Sequence, residues 1–264
     1  MMIRIAICNL KGGVGKSTVS INLAYELAAS GCRVLVVDLD KQANTTKFYN
    51  CLDYERPAVG ELMLNRAAPI KVIRQKVSCP NGHIDLIPSN MNLLTANREI
   101  LLDTLHAQHS RLNKVLHLVD ERYDYCLMDC PPDVDIGVIN ALSAADFLIL
   151  PADCGEWAGD GVRELLEQVQ TIQEGHNPNL EVMGILRTMY RHTKACNAAV
   201  NILQKLNAPL MDTVLPRATV IQEATARHKA AAEYAPGSKG AAAMAALAQE
   251  VQARAKAGYG DGNE

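Results

Sequence analysis

The chain has 264 residues, 48% of them hydrophobic and 21% charged, with a formal net charge of −3, which suits one large α/β domain with a sizeable core. Only 4% is aromatic, which argues against a base-stacking nucleic-acid platform. The longest apolar runs fall short of a membrane span and no charged-then-apolar leader opens the chain, so a cytosolic protein is expected.

Ile3 to Ile7 reads as a strand. It feeds Cys8-Asn9-Leu10-Lys11-Gly12-Gly13-Val14-Gly15-Lys16-Ser17-Thr18, and the residues from Val19 to Leu27 follow with helical spacing. Strand, glycine loop and helix are the context that a phosphate-binding loop needs. Gly12, Gly13 and Gly15 carry no Cβ, so the backbone N–H groups can curl toward a polyphosphate. Lys16 can reach the β/γ-phosphates, the Ser17 hydroxyl can ligand Mg²⁺, and the helix N-terminus favours negative charge. Leu10 stands where the first glycine of G-x-x-x-x-G-K-[ST] falls.

The helix stops at Ser30-Gly31, and Arg33 to Val37 reads as a strand buried on both faces. It ends in Asp38-Leu39-Asp40, two carboxylates at the C-terminal edge where ligands of parallel sheets bind. Asp38 joins Ser17 as a metal candidate. Val59 to Leu64 and Ile70 to Val77 read as short helices, punctuated by Pro57, Pro69 and Pro80. Ile84 to Pro88 reads as a short strand. From Asn92 to Val119 the spacing is helical, as one long helix or two broken near His109-Ser110.

Tyr123 to Asp129 is an apolar strand ending in Asp and followed by Pro131 and Pro132, the pattern of a Walker B segment whose Asp129 holds the Mg²⁺ shell. Ile136 to Ala145 reads as a helix and Phe147 to Leu150 as a strand ended by Pro151. Trp157 is expected to pack or to sit in an interface, ahead of a helix with Val162, Leu165, Leu166, Val169 and Ile172 on one face. Leu180 to Leu186 and Thr213 to Arg217 read as strands around a polar helix. Ala241 to Lys256 is an alanine-rich helix, the domain spans residues 1–257, and 258–264 is expected to be a disordered tail. This alternation predicts one P-loop domain with a mostly parallel, twisted sheet and helices on both faces. The eight cysteines form no C-x-x-C pair, so reduced, mostly buried thiols are expected. Residues 184–264 hold ten of the 26 Lys and Arg but six of the 29 Asp and Glu, an excess that can form a basic surface or scatter over solvated positions.

Four segments resemble the ParA/Soj-type partition ATPases, in the deviant Walker A class that includes MinD. They are Lys-Gly-Gly-Val-Gly-Lys-Ser-Thr at 11–18, Val-Asp-Leu-Asp-Lys-Gln-Ala-Asn at 37–44, Leu-Met-Asp-Cys-Pro-Pro at 127–132, and Gly-Ile-Leu-Arg-Thr-Met-Tyr at 184–190 with Val-Leu-Pro-Arg at 214–217. The resemblance implies that the loop from Lys11 to Thr18, Val14 included, binds ATP or ADP with Mg²⁺, and that Thr18 touches the α-phosphate. It implies that Asp40 positions or activates the attacking water, that Asp129 holds a Mg²⁺-bound water, and that Thr188, Met189, Pro216 and Arg217 hold adenine. Lys11 is the signature lysine, implied to reach the partner's ATP across a homodimer that sandwiches two nucleotides.

The implied function is an ATP-dependent dimerisation switch in DNA partition, hydrolysing slowly until a ParB-like partner stimulates it and associating with the nucleoid through nonspecific DNA binding. Lys41 and Ala43 replace the family's usual Pro and Gly. Val220 falls where Soj-like proteins use an arginine on DNA, which leaves Arg187, Arg191, Lys194, Arg227, Lys229 and Lys239 as substitutes. A MinD-like membrane or protein-cargo switch is the alternative. It needs large apolar residues on an amphipathic C-terminal helix, where 241–256 offers Met244, Leu247 and Val251, so no membrane partner is expected.

Overall fold

Side chains alternate across the first strand: Ile5 and Ile7 pack into one apolar layer, Ala6 and Cys8 into another. The second strand repeats the division, with Val34 and Val36 on one side and Leu35 and Val37 on the other. Both faces of such strands must be covered, which calls for a three-layer arrangement. The computed structural model, which describes residues 1–78, 81–155 and 158–260, has this architecture. Its strands are β1 (Ile3–Ile7), β2 (Arg33–Asp38), β3 (Arg74–Ser78), β4 (His83–Ile87), β5 (Tyr125–Asp129), β6 (Phe147–Asp153), β7 (Glu181–Tyr190) and β8 (Leu210–Pro216), in the order β3-β4-β2-β5-β1-β6-β7-β8. Seven run parallel, and β3 alone pairs antiparallel, on β4.

The helices are α1 (Lys16–Ala29), α2 (Asn44–Phe48), α3 (Val59–Met63), α4 (Pro69–Val72), α5 (Leu93–Leu102), α6 (Arg111–His117), α7 (Ile136–Ala144), α8 (Ala158–Gly175), α9 (Lys194–Leu203), α10 (Thr219–Ala226), α11 (Ala231–Tyr234) and α12 (Lys239–Gly260). Apolar residues of α3, α5, α6, α7, α8 and α9 cover one face of the sheet, and those of α1 and α12 cover the other. On α8 the buried residues Val162, Leu165, Val169 and Ile172 recur at the expected helical spacing. α1 stops where Gly31 turns left-handed at φ 103°.

Four expectations are corrected. Residues 70–77 are not one helix: α4 ends at Val72 and β3 begins at Arg74, because edge pairing with β4 overrides a helical spacing that the short segment cannot stabilise alone. The break between α5 and α6 spans 103–110, wider than His109-Ser110. Pro151 does not end its strand. β6 runs to Asp153 beside β7, and Pro151 lies two residues past the last β1 rung, Ile7 with Ile149. Its missing N–H therefore breaks no ladder bond, and its carbonyl accepts from Asn9 Nδ2 at 2.7 Å. The C-terminal helix continues to Gly260, since a Cβ on Gly258 would come within 2.9 Å of Phe147 and glycine lets it lie against that ring. The readings of Pro80, Trp157 and the end of the tail fall outside the described residues.

α12 also fixes the edge strand β8. Glu250 accepts from the Asp212 N–H at 2.7 Å and the Thr213 N–H at 2.8 Å, and pairs with Arg254 at 2.8 Å. Burial works to raise the Glu250 pKa, but the hydrogen bonds from Thr213 and Asp212 and the Arg254 charge outweigh it and hold the carboxyl below its usual range. A carboxylate depressed in this way contributes stability above its unfolded pKa and loses it as pH falls through the folded one. Glu250→Ala should cost about 2 kcal/mol at neutral pH. In urea melts, the variant should lose less stability than the parent between neutral and acid pH.

Candidate active site

The C-terminal edge of the sheet gathers the candidate residues. Gly15 and Gly13 turn left-handed, at φ 91° and 76°, and carry the chain from β1 into α1. No side chain caps α1 and no acid sits in its first turn, so its leading N–H groups face an anion-binding hollow. A Cβ on Gly12 or Gly13 would meet nothing within 4 Å. They border a cavity of about 760 Å³ whose walls include Lys16, Ser17, Thr18 and Asp40. Lys16 is buried, and its Nζ donates to the carbonyls of Asn9 at 2.9 Å and Lys11 at 3.0 Å. Burial pushes its pKa down against the pull of the nearby Asp129 and Asp40. A polyphosphate would return the counter-charge that this ammonium lacks.

Asp38 and Asp129 face each other as the last rung between β2 and β5, both fully buried. Asp38 accepts from the Asp40 N–H at 3.0 Å and from the Thr46 N–H and hydroxyl at 2.8 and 2.7 Å. Both its oxygens are thus engaged within the protein. Asp129 accepts from Ser20 at 3.2 Å and from Thr45 at 2.6 Å. Burial pushes both carboxyl pKa values up. The Asp129 charge adds to the effect on Asp38, while the hydroxyls of Thr45, Ser17 and Ser20 oppose it at Asp129. Asp40 is nearly buried and lines the cavity, its Oδ1 accepting from the Gln42 N–H at 2.8 Å. Ala43, where the resembled family carries Gly, adopts φ 55° and leads into α2, a conformation that costs a non-glycine residue about 1 kcal/mol.

Among the described residues no cluster of three or more His, Cys, Asp and Glu is placed to hold a metal. The donor set still fits a Mg²⁺ that arrives with a polyphosphate, which needs one hydroxyl and a carboxylate beside its waters rather than a protein cage. Ser17 and the buried Asp129 supply those groups.

Lys11 does not line this cavity. Its Nζ pairs with Asp153 of the same chain, at 2.9 and 3.1 Å, and its side chain remains about one-third exposed. Its N–H donates to Asn9 Oδ1 at 2.9 Å. A Cβ on Gly161 would come within 3.1 Å of that Asn9 oxygen, and one on Gly155 within 3.3 Å of Lys11 Nζ. Asn9 thus holds Pro151, Lys11 and Lys16 together. Asn9, Thr45, Thr46 and Asp153 are site residues that no motif in the sequence marks. Thr45 and Thr46 had a signal, hydroxyls directly after the Asp38–Asp40 turn; Asp153, 142 residues from Lys11, had none.

Thr188, Met189, Pro216 and Arg217 all line a second cavity of about 230 Å³, which shares Gly15, Thr18 and Met189 with the first. Thr188 Oγ1 donates to the Val14 carbonyl at 2.8 Å, tying β7 to the loop. Met189 sits at φ 51°, its Cε 3.8 Å from where a Gly15 Cβ would be. Of the six basic candidates, Arg187 donates to the Met211 and Asp212 carbonyls, Lys229 pairs with Glu233, and Arg227 lies over the Tyr234 ring. Arg191, Lys194 and Lys239 make no ion pair among the described residues. Val220 is half-buried beside Gly240.

A glycine loop at a helix N-terminus, a buried lysine and a paired carboxylate edge define a P-loop ATPase. The family model described as AAA domain matches residues 2–182. The chain is 36% identical over 253 residues to the chromosome-partitioning ATPase Soj of Thermus thermophilus, covering 95% of this chain and 96% of that one. It is 35% identical over 255 residues to the sporulation initiation inhibitor protein Soj of Bacillus subtilis, covering 94% and 98%. The crystal structure of cobyrinic acid a,c-diamide synthase from Mycobacterium smegmatis, with bound ADP and magnesium, superposes with a TM-score of 0.84 at 27% identity, over 98% of this chain and 97% of that one. The chain belongs to the Soj/ParA family of partition ATPases.

Asn9→Ala removes the hydrogen bonds to Pro151 and Lys11 together. It should lower stability by about 2 kcal/mol, read by urea denaturation. It should also weaken nucleotide binding about tenfold, read by titration with a fluorescent ATP analogue.

Proposed function

We propose that this chain is an ATP-dependent dimerisation switch that acts in DNA partition. The observation that carries the reading is Lys11: a second lysine of the phosphate loop, outside the phosphate cavity, its side chain partly exposed and its Nζ paired, among the described residues, with Asp153. Such a lysine is free to exchange its carboxylate for the phosphates of a second chain. Two chains face to face then enclose two ATP molecules, and each Lys11 neutralises charge on the nucleotide opposite. A cation supplied in trans contributes roughly 10³–10⁵ in rate to phosphoryl transfer.

Within one chain, Lys16 and the loop N–H groups, with Thr18 behind them, hold the polyphosphate, and Asp40 places the attacking water. Ser17 and Asp129 would hold Mg²⁺, which when bound neutralises charge developing on the phosphates. Asp38 braces the Asp40 loop from behind rather than facing the metal. Thr188, Met189, Pro216 and Arg217 enclose adenine in the second cavity. Turnover is slow until a ParB-like partner completes the site.

DNA is the matrix, bound nonspecifically in the cytoplasm by basic residues such as Arg191, Lys194 and Lys239. α12 supports this over a membrane partner: Met244, Leu247 and Val251 are buried against the core rather than presented to a bilayer. No helix among the described residues is long and apolar enough to cross a membrane.

Lys16→Ala should abolish ATP binding. Asp40→Ala should keep binding, stop hydrolysis and trap the dimer, read by light scattering after gel filtration; normal hydrolysis by that variant would remove Asp40 from its role. DNA binding should require ATP, and log affinity should fall with log salt at about −0.9 per phosphate neutralised. Binding indifferent to salt and nucleotide would favour a protein cargo.

A further inference from the structure

Thr45 and Thr46 are consecutive, wholly buried residues in the first turn of α2, and each serves a different carboxylate. Thr46 gives its N–H and hydroxyl to Asp38, and its oxygen accepts from the Ser89 N–H at 2.8 Å, so it is fixed from both sides. Thr45 instead crosses to β5, where its hydroxyl donates to Asp129 Oδ2 at 2.6 Å. Among the described residues this is the only side-chain hydrogen bond that joins residues 40–48 to β5. Those residues include Asp40, whose carbonyl accepts from the Ala43 N–H at 2.8 Å as the turn enters α2. The Leu39 N–H donates to the Asp129 carbonyl at 2.9 Å and fixes the near end of this turn, so the Thr45 hydroxyl is what fixes its far end to the same residue.

We propose that Thr45 is a positioning residue for ATP hydrolysis, its hydroxyl coupling Asp129 at the metal site to the loop that presents Asp40. This rests on the reading of Asp129 as facing Mg²⁺ and of Asp40 as placing the water. The hydroxyl has two consequences. It orients the Asp129 carboxylate together with Ser20, which donates to Oδ1, so that the remaining lone pairs are set for the metal side. It also holds α2 against β5, so the Asp40 turn is anchored to Asp129 at both ends, by the Leu39 N–H before it and by Thr45 after it. A valine here would keep the shape and leave Asp129 without its shortest donor.

The test compares Thr45→Val with Thr45→Ser by titrating Mg²⁺ into protein holding a fluorescent, non-hydrolysable ATP analogue, and separately by steady-state hydrolysis. Loss of an outer-shell partner costs about 10–100-fold in metal affinity or activity. Thr45→Val should raise the Mg²⁺ concentration for half-maximal tightening at least tenfold and lower kcat by a similar factor. Analogue affinity in EDTA should stay unchanged, and Thr45→Ser should recover to within about twofold. Added to Asp129→Asn, Thr45→Val should shift the Mg²⁺ midpoint no further, because it acts through that carboxylate.

A Thr45→Val protein with the parental Mg²⁺ midpoint overturns the proposal. So does a Thr45→Ser protein as impaired as Thr45→Val, which would make the methyl group the working part. If the valine variant fails to fold by circular dichroism, Thr45→Ala enters the same titrations. The Mg²⁺ arm needs no hydrolysis, so it decides the coupling even where normal turnover by Asp40→Ala has overturned the water-placing role.

Discussion

Two carboxylates buried side by side at the ends of neighbouring strands set the terms for everything around them. Asp38 and Asp129 are a register pair without solvent, and like charges so placed are tolerated only when donors surround them. The donors come from three directions: Ser20 from α1, Thr45 and Thr46 from α2, and the Asp40 backbone from the turn between. Each is also a point of attachment. The glycine loop's helix, the Asp40 turn and the strands β2 and β5 are joined through the same oxygens, so the electrostatic problem and the alignment of the site have one solution.

The parallel sheet supplies the rest of that alignment. Because β1, β2 and β5 are adjacent and end at one level, the glycine loop, Asp40 and Asp129 arrive together although they are distant in the chain. The adenine candidates come from β7 and β8, on the far side of β6, and they reach the loop through the bond from Thr188 to Val14 and through Met189 against Gly15. The two cavities thus meet at Gly15, Thr18 and Met189.

What could be read in the sequence was what short-range pattern controls. The strand ending at Ile7, the left-handed stop at Gly31 and the apolar stripe on α8 follow from residues near one another, and the structure has them. Pairing partners are long-range, and here the pattern failed: the segment after Val72 has helical spacing yet becomes an edge strand because β4 offers it a ladder. Pro151 misled for the same reason, since whether a proline ends a strand depends on whether the neighbour on that side still needs its N–H. In the site, Lys16, Asp40 and Asp129 carry type and spacing signals. Asp153 carries none, because it reaches Lys11 only through the placement of β6 beside the loop, and Asn9 acts through two amide bonds, to β6 and to Lys11, that spacing does not encode.

β8 lies at the open margin of the sheet, pairing only with β7 and in an irregular register. Margins of this kind invite pairing with other chains. Here α12 shields it through Glu250 and Arg254, and the smaller cavity sits at its end. A base seated between Met189 and Pro216 would clip the margin to the centre of the sheet. The nucleotide-free chain would then be the form most prone to self-association through its edge, and bound nucleotide would act as a solubility factor as well as a switch.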